Sequence, residues 1–166
     1  MAKTYVPIST QTLGSATASV TFSSISGAYT DLLLVCNAQT SLSTVDLLMR
    51  INGDTGTNYS STHLSGNGTS AISSRNTGLT YMIMNSYGYL ANLNYMGVYK
   101  MNFQNYSNTT TYKTVLSSAD QQQNGLARSA GLWRSTSAIS TILVYPDGSK
   151  LFDVGSCFTL YGILAA

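Results

Sequence analysis

Leu93-Asn94-Tyr95-Met96-Gly97-Val98-Tyr99-Lys100-Met101-Asn102-Phe103 is the stretch that decides the fold. Leu93, Tyr95, Tyr99, Met101 and Phe103 share one side of a period of two, and Asn94, Met96, Val98, Lys100 and Asn102 share the other. Side chains alternate across a strand, so residues 92–103 read as a β-strand with one face in a core. Asn105-Tyr106-Ser107-Asn108 then turns the chain, and Thr110 to Ala119 runs back.

The same pattern extends outward in both directions. Towards the C-terminus, Gly125 to Trp133, Ala138 to Tyr145 and Ser156 to Leu164 read as strands. A Gln-rich loop over 120–125 and the turn Pro146-Asp147-Gly148-Ser149 separate them, and the turn is expected to close a hairpin. Towards the N-terminus, strands are expected at Ala16 to Phe22, Asp31 to Ala38, Val45 to Ile51, Tyr59 to Leu64 and Leu79 to Met84. Asp31 to Ala38 is continuously apolar and is expected to be buried on both faces. Thr4 to Ile8 contains Pro7, which confines it to a sheet edge or an arm. Residues 70–78 fit a short strand or an exposed loop, and residues 86–91 a connection rich in Tyr and Gly. Asn52-Gly53-Asp54 is the strongest turn signal, expected to form a hairpin because both leading positions tolerate positive φ. No window carries helical spacing. About ten short, evenly spaced strands predict an all-β chain, an antiparallel β-sandwich of jelly-roll type. Residues 1–26 are expected to form an N-terminal arm or edge strand, and 27–166 the sandwich.

Composition narrows what such a domain does. The 166 residues can bury a core unaided. Only 8% are charged, Glu is absent and the net charge is +2. A surface built from Ser, Thr, Asn and Tyr desolvates at low cost, which suits a protein packed against neighbours. Lys3, Arg50, Arg75, Lys100, Lys113, Arg128, Arg134 and Lys150 are scattered, so a nucleic-acid partner is not expected. The longest apolar run, Leu32 to Cys36, is too short to span a membrane. Residues 1–5 lack the apolar stretch of a signal peptide, which predicts a chain made and assembled in a cytoplasm. Cys36 and Cys157 read as small buried hydrophobes rather than a bridge.

Signals of chemistry are few. His63 is the single histidine, no Gly-x-Ser-x-Gly elbow is present, and the ring is expected half exposed beside tyrosines. The acids Asp31, Asp46, Asp54, Asp120, Asp147 and Asp153 form no recognisable dyad. Zinc would need more His or Cys. Asp54-Thr55-Gly56-Thr57-Asn58 loosely has the alternate oxygens of a cation loop, but a hydrogen-bonded turn accounts for it with fewer acids. The expectation is therefore a non-enzyme with no catalytic residue, cofactor or metal. The candidates for weak surface binding, for instance of a glycan, are Tyr59, His63, Tyr87, Tyr89 and Tyr106, while Trp133 reads as a buried anchor.

Four segments carry a resemblance: Ile51 to Tyr59, Asn105 to Thr114, Gly131 to Ile139, and Gly155 to Ile163 with its Phe158-Thr159-Leu160-Tyr161-Gly162-Ile163 ending. Together they resemble a widespread family of tailed-bacteriophage virion proteins, from about residue 28 onward. The resemblance implies a β-sandwich or jelly roll displayed on a virion, and no catalytic residue. It implies a place on the capsid surface or on a fibre, and with only residues 1–26 ahead of the module as a possible arm, the expectation is a capsid decoration or cement protein bridging neighbouring subunits. Its partners would be its own copies, with a trimer favoured, and other virion proteins such as the major capsid protein. The alternative it implies is a receptor-binding module of a tail or head fibre that recognises a host glycan.

Overall fold

The computed structural model describes residues 4–40, 45–85, 96–121 and 125–164. The strands are β1 (Tyr5–Thr12), β2 (Val20–Phe22), β3 (Asp31–Ala38), β4 (Leu47–Ile51), β5 (Tyr59–Gly66), β6 (Ala71–Leu79), β7 (Met82–Ile83), β8 (Gly97–Phe103), β9 (Lys113–Gln121), β10 (Gly125–Trp133), β11 (Ile142–Pro146) and β12 (Cys157–Ile163). They form two antiparallel sheets, one ordered β1-β12-β3-β8-β9-β10-β5-β6 and the other β2-β11-β4-β7. The chain is an all-β sandwich.

The alternation over Gly97–Phe103 is realised: Tyr99, Met101 and Phe103 are buried, and Val98, Lys100 and Asn102 are exposed. Residues 92–95 lie outside the described residues. Inward side chains of β3, β8 and β12 meet Val20 and Phe22 of β2, Ile142 and Val144 of β11 and Met49 and Ile51 of β4 in one core. Phe152 and Phe158 pack edge to face there, with centroids 4.8 Å apart. Glycine lets neighbouring side chains approach closely at two of these strands. A Cβ on Gly131 of β10 would stand 2.1 Å from the Met82 sulfur, and one on Gly162 of β12 would stand 2.3 Å from the Tyr29 ring.

Several expectations change. β3 is central but alternates, with Leu33 and Val35 only half-buried on its outer side. Its apolar run therefore feeds two environments rather than two cores. Residues 70–78 belong to β6, an edge strand with polar residues on both faces. Residues 16–19 and 138–141 are not strand: Thr17 makes an isolated bridge to Phe152, and the Asn52 carboxamide accepts from the amides of Ser140 and Thr141. The Asn52-Gly53 turn forms with both φ positive, at 52° and 68°. It makes no hairpin, because β4 and β5 lie in different sheets. The turn after Pro146 likewise leads across to the larger sheet. True hairpins join β5 to β6, β8 to β9 and β9 to β10.

Residues 5–12 extend along β12 from Tyr5↔Ile163 to Thr12↔Cys157, and the Leu164 amide donates to the Thr4 carbonyl at 3.0 Å. Pro7, which lacks an N–H, sits on this edge strand beside a register shift.

Candidate functional site

Of the sequence-selected surface residues, the three that are described, Tyr59, His63 and Tyr106, are buried rather than gathered on the surface. Tyr59 is buried, and its hydroxyl accepts from the Ile51 amide at 3.1 Å and reaches the Ile51 and Asp54 carbonyls at 3.3 and 3.2 Å. Desolvation pushes this phenol up to about 12. Tyr106 is buried too, and its hydroxyl donates to the Ser26 carbonyl. Both tyrosines are internal braces, because each phenol finds backbone partners that loops would otherwise leave unpaired. Tyr87 and Tyr89 lie outside the described residues.

His63 is 1% exposed, not half exposed. β5 turns it inward, where its Nδ1 lies 2.7 Å from the Ser129 hydroxyl on β10. Its Nε2 has no hydrogen-bond partner among the described residues, and burial lowers its pKa. Ser117 on β9 continues the row and donates to the Met84 carbonyl at 2.7 Å. A His–Ser contact is half of what nucleophilic catalysis needs. The other half, an orienting carboxylate, is not in the row: Ser74, His63, Ser129, Ser117 and Met101 face one another across five strands.

The carboxylates are spread over local duties. Asp54 accepts from the Gly56 amide (2.8 Å), Asn58 Nδ2 (2.9 Å) and Trp133 Nε1 (2.7 Å). Burial would raise this carboxyl, but the bonds from Trp133, Asn58 and Gly56 outweigh it and hold the group below the usual range. The loop thus carries its own donors where a cation would have needed free oxygens. Asp31 accepts from the Asn105 amide at 2.7 Å, and Asp120 pairs with Arg128 at 2.9 Å. Among the described residues no three His, Cys, Asp or Glu side chains are grouped to hold a metal. Cys36 points into the core and Cys157 to the opposite side, and both are free. Lys113 is buried with its ammonium on the carbonyls of Thr111 and Thr136, at 2.8 and 3.1 Å.

What the strands do assemble is a surface. On the outer side of the larger sheet the register aligns Pro7, Tyr161, Leu33, Asn102, Leu116, Ala130, Thr62 and Arg75 in one row. A second row runs Thr159, Val35, Lys100, Ser118, Arg128, Leu64 and Ser73, and a third Asn37, Val98, Asp120, Leu126 and Gly66. Leu64, Leu126, Leu116 and Val98 are 57%, 52%, 43% and 37% exposed. Leu64, Leu116, Ala130 and the Arg128 stem border a shallow depression of 480 Å³. The outward side of β8 was legible in its alternation. The clustering of Leu64 with Leu116 was not, since it depends on β10 lying between β5 and β9.

No protein-family model and no curated protein matches the sequence. Among solved structures, the galectin LEC-6 of Caenorhabditis elegans aligns with 97% of this chain and 89% of its own, at 10% identity and a TM-score of 0.28. A superposition that loose carries no argument about function.

Proposed function

We propose that this chain is a structural protein of a bacteriophage virion, a capsid decoration protein that bridges neighbouring subunits and works as a homo-oligomer, with a trimer favoured. One observation carries the contact role: the outer face of the eight-stranded sheet holds Leu64, Leu116, Leu126 and Val98 in solvent, set around Lys100 and the mutually neutralising Arg128–Asp120 pair. Covering such a face returns roughly 25 cal/mol for each Å² of apolar surface removed from water. The Ser, Thr and Asn side chains around it desolvate at low cost. The four segments that resemble tailed-phage virion proteins support the setting.

The test is light scattering after size exclusion, alongside electron microscopy of virions bearing the protein. The expected result is a mass of several copies for the wild type and a smaller mass for Leu116→Lys with Leu126→Lys, at unchanged far-UV circular dichroism. A wild type that stays monomeric and is missing from virions sinks the proposal.

A further inference from the structure

The smaller sheet carries a cavity of different character on its outer side. Residues before β2, the outward side chains of β4 and β11, and the turn after β11 border an open hollow of 370 Å³. Arg50 projects into it from β4. Its guanidinium carbon lies 5.3 Å from the centroid of the Tyr145 ring, and its Nε donates to the Thr80 carbonyl at 3.1 Å. These contacts fix the plane of the group and use one of its five N–H donors. Both Nη atoms remain without a hydrogen-bond partner among the described residues. Lys150 lines the same cavity, with its ammonium 3.7 Å from where a Cβ on Gly148 would stand.

Among the described residues neither cation is ion-paired, although the charge of Asp147 acts on the same Tyr145 ring that Arg50 stacks against. Arg128–Asp120 is the ion pair found among the described residues. Asp147, in the adjoining turn, turns an oxygen to the Gly148 amide at 2.7 Å. A stacked guanidinium with its fork open is the geometry that takes an oxyanion through two parallel bonds. The rest of the lining is mixed, with Leu143, Pro146 and the Tyr145 ring set against the Ser19 and Ser149 residues. The volume lies near the lower end of the roughly 300–1,000 Å³ of small-molecule sites and exceeds what a bare ion fills.

We infer that this cavity binds a small organic oxyanion, a carboxylate or phosphate monoester on a hydroxylated, ring-sized body, of which an acidic monosaccharide is the simplest case. Arg50 takes the oxyanion, Lys150 adds a point charge, and the Tyr145 and Leu143 wall carries the ring. The site is on the sheet opposite the proposed contact face, so binding here and assembly there succeed or fail separately.

The test is an amide-resolved NMR titration at constant ionic strength with four probes: sodium glucuronate, glucose 6-phosphate, glucose and inorganic phosphate. Glucuronate and glucose 6-phosphate are expected to shift the amides of Ser19, Arg50, Tyr145 and Lys150, while glucose at the same concentration leaves them in place. Arg50→Gln is expected to weaken binding about tenfold, the loss of one charge-assisted pair. Lys150→Gln, at a half-buried position just after the turn, is expected to weaken it severalfold and keeps the test alive should Arg50→Gln fold poorly. The inference is overturned if glucose shifts the same amides equally, if inorganic phosphate binds as tightly as glucose 6-phosphate, or if Lys150→Gln binds both organic anions like the wild type.

Discussion

His63 shows how one side chain can be identified in a sequence and still be misplaced. An imidazole fits a half-wet strand face and a dry one equally well, and Ser129, which claims its Nδ1, is 66 residues away. Its burial has a consequence for acid stability. The unfolded chain takes up this proton near pH 6.5, whereas the folded protein resists it to lower pH. The unfolded state therefore binds more protons across that window, so stability is full above pH 6.5 and declines as pH falls through it. Asp54, held below its ordinary 3.8, loses its contribution only in stronger acid. The urea midpoint should thus be lower at pH 5.5 than at 7.5, and His63→Gln should flatten that difference. Tyr59 and Tyr106 were as ambiguous as His63, because tyrosine suits a wet rim and a dry brace alike. For Tyr59 the brace can be weighed: Tyr59→Phe leaves the Ile51 amide without its partner and should cost about 1–3 kcal/mol in denaturant unfolding. An unchanged midpoint would show that the phenol braces nothing.

Among the elements, β8 and β10 were readable because each buries every second residue against one core. β6 was only half readable: with Ser73, Arg75 and Thr77 exposed and no residue fully buried, it lacks the contrast from which a strand is recognised. Residues 138–141 look like strand because Ile139 and Thr141 alternate with Ser140. In the fold the Asn52 side chain takes amides that a neighbouring strand would otherwise have paired. Asn52-Gly53 was correctly a turn and wrongly a hairpin, since two positive φ values define the bend and not the sheet that the next strand joins. Strand packing also makes demands that composition hides. Gly162→Ala drives a methyl into the Tyr29 ring, which has no flexible end to swing away, and should cost about 1–3 kcal/mol. Thermal melts of the alanine variant against wild type measure it, and an equal or higher melting temperature would contradict the close approach.

For the whole molecule, the all-β class followed from alternation and turns, but the division into eight and four strands did not. A turn has the same chemistry whether the next strand pairs alongside or crosses to the other layer. The contact face was hidden for the same reason, since Leu64, Leu116 and Leu126 come from three strands that only the sheet order places side by side. If that face is where copies meet, the apparent melting temperature should rise with protein concentration, as it does for any folded state stabilised by mass action. The Leu116→Lys, Leu126→Lys double variant should lose that dependence. The pairing of β1 with β12 has a mechanical side as well. Residues 4 and 164 are hydrogen-bonded neighbours at one end of an antiparallel ladder. Tension applied between them loads the rungs one after another, as in opening a zipper, instead of shearing all of them together. Optical tweezers gripping those positions should record an early, soft release of the eight-residue β1 before the body yields. A tether through both ends would make this sandwich compliant, whereas one through its interior strands would make it stiff.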